Sequence, residues 1–168
     1  MDNIINRSEE PIPVIGLVDK IKKRKLTISV AESCTGGLVC SDLISVPGVS
    51  DIFIEGFITY SNDSKIRTLG IPEELISKHG AVSPDVAQAM AEKACAKSGS
   101  DIGLSTTGIA GPGGGTPEKP VGLVYIGVHI KGETYLRRLD LNGTRDEIRS
   151  LTCNHLLRFL LEKMAKIE

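Results

Sequence analysis

The sequence predicts a single α/β domain, in which helices cover both faces of a mixed β-sheet in three α/β/α layers. Helix-like apolar periodicity alternates with short β-branched segments, a pattern typical of parallel strands joined by crossover helices. Two late strand-like segments follow each other directly and predict an antiparallel pair. A length of 168 residues suits one domain, to which we assign residues 14–168 after a polar N-terminal extension, 1–13.

The first part of the domain predicts a helix and two strands. Residues 14–24 carry apolar side chains at helical spacing and end in a basic run, which complements a helix C-terminus. Residues 26–30 are β-branched and alternate in polarity, so they predict a strand that leads into the glycine pair at 36–37. Residues 52–60 predict a second strand.

The middle of the chain predicts two helices and a third strand. The polar cluster at 61–64 turns the chain or caps a short helix around residues 65–69. Ser83 is followed by a proline, a combination typical of a helix start, and the apolar stripe continues to about residue 97. Residues 102–107 then predict a strand.

The last part predicts a specialised loop, a hairpin and a terminal helix. Residues 108–122 are rich in glycine and proline. The segments 121–130 and 134–141 predict strands joined by a short turn. Residues 144–147 read Thr-Arg-Asp-Glu, which has the form of a capping box before a terminal helix.

Composition argues against several functional classes. The formal net charge of −1 gives no electrostatic basis for binding nucleic acid. No segment approaches the roughly 20 apolar residues that span a bilayer, so we expect a cytoplasmic protein without a membrane partner. Four cysteines, at 34, 40, 95 and 153, lack C-x-x-C spacing and predict reduced thiols. The three histidines lack metal-ligand spacing, so no metal site is expected.

The turn after the first strand is a candidate site. Residues 31–37 read Ala-Glu-Ser-Cys-Thr-Gly-Gly, at the carboxyl end of a strand where ligands gather in open α/β sheets. Ser33 is either a nucleophile or a cap of the following helix, and the pattern alone does not choose between these roles. Cys34 ranks second as a nucleophile, because no histidine partner is evident nearby.

The base for such a nucleophile must come from elsewhere in the chain. Position 36 is glycine where an S-x-x-K motif has its lysine. Lys65, five residues after Tyr60, is one candidate because a desolvated lysine loses its proton more easily. Lys119 in the glycine-rich loop is the other, and spacing cannot choose between them.

Two further segments predict ligand contact. The loop 108–122 does not match the G-x-G-x-x-G pattern of dinucleotide folds, but its glycines suggest close backbone approach to a ligand. Arg145 and Arg149 lie four residues apart at the start of the terminal helix, where a phosphate would be well placed. Solvated arginines that pair with Asp146 are the alternative interpretation.

Three segments carry a family resemblance: 31–37, 56–62 (Gly-Phe-Ile-Thr-Tyr-Ser-Asn) and 108–114 (Gly-Ile-Ala-Gly-Pro-Gly-Gly). Over about residues 14–165 the chain resembles the CinA C-terminal domain family. The resemblance implies a nicotinamide-nucleotide amidohydrolase, which converts nicotinamide mononucleotide to nicotinate mononucleotide and ammonia in pyridine nucleotide salvage. It implies no metal or organic cofactor. Many similar proteins carry a larger N-terminal domain, so this chain is expected to be the stand-alone form.

The resemblance also implies roles for individual residues. Ser33 would be the nucleophile, which Tyr60 and Lys65 orient or deprotonate. The residues expected to bind substrate or its oxyanion are Cys34, Thr35, Gly36, Gly37, Thr107, Gly108, Gly111 and Arg145. The expected partner is a small nucleotide, and compact α/β enzymes of this size commonly form homo-oligomers. The alternative is a non-catalytic nucleotide-binding or regulatory module built on the same turns.

Overall fold

The computed structural model of the chain describes residues 12–167 and, for the backbone alone, the strand Asn3–Ile5; the rest of the predicted extension lies outside the described residues. The strands are β1 (Asn3–Ile5), β2 (Ile28–Glu32), β3 (Phe53–Ile58), β4 (Ile102–Gly108), β5 (Leu123–Ile130) and β6 (Glu133–Asp140). The α-helices are α1 (Val14–Lys23), α2 (Leu38–Ile44), α3 (Asn62–Ser64), α4 (Glu73–His79), α5 (Pro84–Ser98) and α6 (Arg145–Ala165). A 3₁₀ turn spans Val49–Asp51, and a π-helical turn spans Lys65–Leu69.

The described strands form one mixed sheet in the order β1, β6, β5, β4, β2, β3. β2 is parallel to both of its neighbours, β3 and β4. β5 runs antiparallel to both of its neighbours, β4 and β6, and β1 pairs parallel with β6. The predicted mixed sheet and the predicted hairpin, which is β5 and β6, are therefore confirmed.

Helices cover the two faces of this sheet, which confirms the predicted three layers. α1, α2 and α6 pack on one face in the larger core, which contains Leu17, Leu43 and Leu156. α4 and α5 pack on the other face, where Ile76 and Met90 belong to a second apolar cluster. Burial of this apolar surface is the main favourable contribution to folding, because helix propensity alone seldom stabilises short helices.

Two predicted helix N-caps, at Ser83 and Thr144, are confirmed in the structure. The Ser83 hydroxyl accepts a hydrogen bond from the N–H of Val86 at 3.2 Å, and Pro84 occupies the first turn of α5. Thr144 and Glu147 form the predicted capping box at the start of α6. Both caps depend on residues three positions apart, so the sequence alone suffices to predict them.

Three details differ from the expectations. β2 begins two residues later than predicted and is buried on both faces, because it lies in the middle of the sheet with helices on either side. The polar residues of the alternating pattern therefore do not face solvent. The Ser29 side chain is buried, and its hydroxyl lies 2.8 Å from the Ser100 hydroxyl in a hydrogen bond. Neither β1 nor α4 was predicted. For α4, Pro72 and the acidic residues of the first turn are ordinary signals of a helix start.

The topology brings three chain segments together at one edge of the sheet. β2, β3 and β4 are parallel, so their carboxyl ends lie side by side. In register, Glu32 pairs with Ile58 on one side and with Thr106 on the other. The residues that follow these three positions therefore meet, although they are far apart in the sequence.

Candidate active site

The turn that follows β2 is held by backbone and side-chain hydrogen bonds to β4. The N–H of Ser33 donates to the carbonyl of Thr106 at 3.0 Å, and the Thr35 and Thr106 hydroxyls lie 2.7 Å apart. Gly36 and Gly37 have φ values of 61° and 98°, a left-handed region that favours glycine. These two glycines let the chain reverse between the end of β2 and the start of α2.

Neither hydroxyl of this turn caps the helix that follows. The N-cap position of α2 is Gly37, which has no side chain, and the Glu32 carboxylate accepts from the N–H groups at the helix start instead. The Ser33 hydroxyl lies beside the Lys65 amine, with Ser33 Oγ 2.9 Å from Lys65 Nζ. The cap interpretation of Ser33 was therefore wrong, and its hydroxyl is available for chemistry.

Lys65 reaches Ser33 because the segment after β3 folds back in a tight helical turn. Ser61 caps this turn by accepting from the N–H of Ser64 at 3.0 Å, and Lys65 is the first residue of the π-helical turn that follows. Such π-helical turns often mark functional sites. The Lys65 side chain is 1% exposed, so its amine has lost almost all of its water.

Three polar atoms surround the Lys65 amine. Besides Ser33 Oγ, the carbonyl oxygens of Thr59 and Tyr60 lie 2.8 Å and 3.2 Å from Nζ. Burial lowers the pKa of Lys65 from 10.5 to about 8, against a smaller opposing influence from Cys34. A neutral amine has two hydrogens and one lone pair, so it can donate to both carbonyls and accept the Ser33 proton.

The backbone carbonyl of Tyr60 contacts the Lys65 amine, and the Tyr60 ring borders the pocket. The ring is exposed, and the Tyr60 hydroxyl accepts from Arg145 Nη2 at 3.2 Å. Arg145 Nη1 also donates to the carbonyl of Gly111 at 2.7 Å. Arg145 therefore joins the end of β3 to the glycine-rich loop across the mouth of the site.

A pocket with a cavity volume of about 200 Å³ opens over Ser33 and Lys65. It is lined by Ser33, Cys34, Tyr60, Lys65, Ala81, Val82, Thr107, Gly108, Ala110 and Arg145. Polar groups occupy its floor and mouth, and small apolar side chains line one flank. An apolar lining with a few convergent polar groups is typical of small-molecule sites.

The predicted binding residues divide into two groups. Cys34, Thr107, Gly108 and Arg145 line the pocket, whereas Thr35, Gly36, Gly37 and Gly111 support it from outside the lining. The Thr107 hydroxyl donates to the Ala81 carbonyl at 2.7 Å and so fixes the flank. A side chain at Gly108 would meet Val124 at 2.6 Å, so packing against β5 already explains that glycine.

Lys119, the alternative base, has a different position. Its Nζ donates to the carbonyls of His79 and Val82, each at 2.8 Å. It therefore ties the glycine-rich loop to the segment before α5, and the geometry favours Lys65 as the base.

The other titratable groups near the site are less suited to chemistry. Burial raises the pKa of the Cys34 thiol to about 12, so little thiolate forms at neutral pH, and the four cysteines are free. Within residues 12–167, no three side chains of His, Cys, Asp or Glu are grouped as metal ligands. No described helix is long and apolar enough to cross a membrane.

Sequence reasoning missed several residues that shape the site. Ala81 and Val82 line the pocket although they lie before α5, and Thr106 anchors the turn at 33–37 from the neighbouring strand. Arg149 was predicted beside Arg145 at a phosphate site, but it lies outside the pocket lining and donates to the Thr35 carbonyl at 2.9 Å, which holds the outer side of that turn. Glu32 was part of the quoted motif, yet its side chain had no predicted role.

Comparison with known proteins identifies close relatives of this chain. A family model described as the CinA C-terminal domain matches residues 15–164. A CinA-like protein of Dictyoglomus thermophilum is 56% identical over 144 residues, which cover 86% of this chain and 35% of that protein. A CinA-like protein of Kosmotoga olearia is 52% identical over 144 residues, with the same coverage. The chain spans between 35% and 39% of the length of such curated relatives.

Solved structures show the same fold at nearly full coverage. The competence/damage inducible protein CihA from Agrobacterium tumefaciens is 37% identical, with a TM-score of 0.85 over 93% of this chain and 98% of that one. A CinA superfamily protein from Klebsiella pneumoniae is 26% identical, with a TM-score of 0.88 over 91% of this chain and 96% of that one. The similarity therefore extends over the sheet, the helices and the candidate site.

Proposed function

Because this chain belongs to the CinA C-terminal domain family, we propose that it hydrolyses the carboxamide of nicotinamide mononucleotide to nicotinate mononucleotide and ammonia. The observation that carries the proposal is the 2.9 Å contact between Lys65 Nζ and Ser33 Oγ at the bottom of the pocket. A buried lysine beside a serine hydroxyl is a known way to activate the serine as a nucleophile.

Acylation begins when neutral Lys65 accepts the Ser33 proton. Its two N–H bonds remain on the carbonyls of Thr59 and Tyr60, which keep the lone pair directed at Ser33. Ser33 Oγ forms a bond to the carboxamide carbon, and the electron pair of the C=O bond moves to the oxygen. The proton that Lys65 has gained is then available for the leaving nitrogen.

The oxyanion requires hydrogen-bond donors at the nucleophile turn. Two of the four expected N–H groups already have acceptors in the chain: Gly36 donates to the Ser33 carbonyl, and Gly37 donates to Glu32. The N–H groups of Cys34 and Thr35 are therefore our candidates for the oxyanion hole.

Collapse of the tetrahedral intermediate breaks the C–N bond. Protonated Lys65 donates its proton to the amide nitrogen, which leaves as ammonia, and Ser33 keeps the acyl group as an ester. In the second half of the reaction, neutral Lys65 accepts a proton from water, and the resulting hydroxide attacks the ester carbon. The nicotinate carboxylate is released and Ser33 recovers its hydroxyl proton.

Arg145 is our candidate for the phosphate of the nucleotide. Its guanidinium lies at the pocket mouth, where it is bonded to Gly111 and Tyr60, and a planar guanidinium suits bidentate phosphate binding. Ala81, Val82 and Ala110 provide the apolar flank for the pyridine ring. The charged end and the reactive end of the nucleotide would then contact opposite ends of the pocket.

The test is ammonia release from nicotinamide mononucleotide by the purified protein with chelator present. We expect release by the wild type and loss of release in Ser33→Ala, with the affinity for the mononucleotide, measured by calorimetry, changed less than about threefold because the hydroxyl contributes mainly to the transition state. Binding without release by the folded wild type would contradict the proposal and favour the nucleotide-binding module.

A further inference from the structure

The Glu32 carboxylate is buried and bonded to the backbone on the far side of the nucleophile turn. Its side chain is 0% exposed. Oε2 accepts from the N–H groups of Gly37 at 2.9 Å and Val39 at 3.2 Å, and Oε1 accepts from the N–H of Cys40 at 2.8 Å. One side chain therefore joins the end of β2 to the start of α2 across residues 33–36.

These bonds fix the position of Glu32 strongly. A buried carboxylate is costly unless hydrogen bonds replace its water, and three N–H donors supply them here. The Glu32 backbone is held as well, because its carbonyl accepts from the N–H of Thr59 at 2.8 Å. Since Ser33 is the next residue, any shift of Glu32 moves the nucleophile relative to Lys65.

The Glu32 carboxylate also occupies the N–H donors at the start of α2, to which nearby hydroxyl groups could otherwise bind. Serine and threonine hydroxyls are preferred partners of helix N-terminal N–H groups, and Ser33 and Thr35 both lie before α2. With Glu32 in place, Ser33 Oγ faces Lys65 and Thr35 Oγ1 faces Thr106. The carboxylate thus leaves the nucleophilic hydroxyl free of helix capping.

We infer that Glu32 is a positioning residue of the amidase reaction, which holds the Ser33 turn in its reactive geometry and keeps Ser33 from capping α2. The inference rests on the proposed function, since it assigns Glu32 a part in the chemistry of Ser33. Glu32 touches neither the substrate nor the transferred proton, so its effect should be on the rate of acylation and not on binding.

The experiment compares Glu32→Gln and Glu32→Ala with Asp42→Asn as a matched control. Asp42 lies on α2, close enough to interact electrostatically with Glu32. It lines a separate groove and not the pocket over Ser33. Each Gln or Asn variant removes one negative charge, but only Glu32→Gln disturbs the bonds to the turn. Circular dichroism and thermal melting measure the folded fraction of each variant.

The first readout is steady-state hydrolysis of nicotinamide mononucleotide. We expect kcat to fall about 10-fold in Glu32→Gln and about 100-fold in Glu32→Ala, because small misplacements of a nucleophile cost about this much. KM should change less than about twofold, and the pH midpoint of kcat/KM should stay that of Lys65. Asp42→Asn should keep wild-type kcat and KM.

The second readout does not depend on the natural substrate. Phenylmethanesulfonyl fluoride labels activated serines: the serine oxygen bonds to sulfur, fluoride leaves, and Lys65 would take the proton. Mass spectrometry measures the labelling rate of Ser33, with Ser33→Ala as the blank. We expect the rate per folded molecule to fall in the Glu32 variants by factors similar to those in kcat.

The outcomes separate the two proposals. If the wild type is labelled but does not hydrolyse the mononucleotide, the substrate assignment fails and the labelling rates still decide the role of Glu32. If folded Glu32→Gln is labelled and turns over at the wild-type rate, or if its losses only follow the folded fraction, the positioning role is wrong. A wild type that is neither labelled nor active overturns both.

Discussion

The rate of acylation should follow the deprotonation of Lys65, because only the neutral amine can accept the Ser33 proton. Burial disfavours the ammonium form and lowers the pKa of Lys65 to about 8 from the ordinary 10.5. The sign follows directly: raising the pH converts Lys65 to the neutral base, so kcat/KM should increase with pH and level off above the pKa.

The size of this increase distinguishes a buried lysine from an exposed one. With a pKa of about 8, roughly one tenth of the enzyme carries neutral Lys65 at pH 7 and roughly nine tenths at pH 9, which gives about a 10-fold rise. An ordinary lysine would give about a 100-fold rise over the same interval, with no plateau. The curvature of the profile between pH 7 and 9 is therefore the quantity to measure.

The assay is ammonia release at low substrate concentration from about pH 6 to about pH 10, which is two units to either side of the pKa. Lys65→Met is the control, because it keeps an apolar side chain of similar length. It should lose at least about 100-fold in turnover, the lower range for removal of a general base. A profile flat from pH 7 to 9, or a folded Lys65→Met variant that retains turnover, would refute the assignment of Lys65 as the base.

The same pKa has a consequence for stability. The folded state holds its Lys65 proton less tightly than the unfolded chain, so the unfolded chain binds more protons between about pH 8 and 10.5. This lysine therefore contributes stability that is fully present above 10.5 and is lost as the pH falls through about 8. The free energy of unfolding of the wild type relative to Lys65→Met should accordingly increase as the pH rises from about 8 to 10.5, and urea titrations at several pH values measure it.

Two further predictions test the pocket mouth and an unusual buried hydroxyl. Arg145→Gln should raise KM for nicotinamide mononucleotide about 10- to 100-fold in steady-state kinetics. KM for nicotinamide riboside should stay almost unchanged, because the riboside lacks the phosphate. Equal effects on both substrates would argue against a phosphate contact. The Thr59 hydroxyl is buried without a hydrogen-bond partner among the described residues, so Thr59→Val should raise the free energy of unfolding by up to about 1 kcal/mol in urea titrations. A loss of more than about 1 kcal/mol would mean that this hydroxyl is bonded.

The features that the sequence predicted well depend on near neighbours in the chain. The caps at Ser83 and Thr144 need only residues three positions further on, and the hairpin of β5 and β6 needs only a short turn. The polar segment that begins at Ser61 was predicted either to turn the chain or to cap a short helix, and Ser61 is the cap. In each case the hydrogen bonds close within one turn, so no knowledge of the sheet order is required.

Spacing alone could not choose between Lys65 and Lys119 as the candidate base, because proximity to Ser33 depends on the order of strands. Ser33 and Lys65 are 32 positions apart and meet only because β2 and β3 are adjacent and parallel. Lys119 was an equal candidate by spacing, but the loop that carries it is tied to the segment before α5. Strand neighbours are long-range information, which periodicity does not contain.

The role of the turn at 33–37 was open for a different reason. Ser33 and Thr35 are residues that commonly cap helices, so local propensity alone makes capping as reasonable as catalysis. Glu32 takes the capping role instead, through a side chain long enough to reach past four residues to the start of α2. An acidic residue directly before a serine and ahead of a glycine pair is a pattern that can be recognised in a sequence and that indicates such a cap. Where a short helix begins at a glycine after such a turn, the upstream carboxylate should be considered as its cap before the serine is.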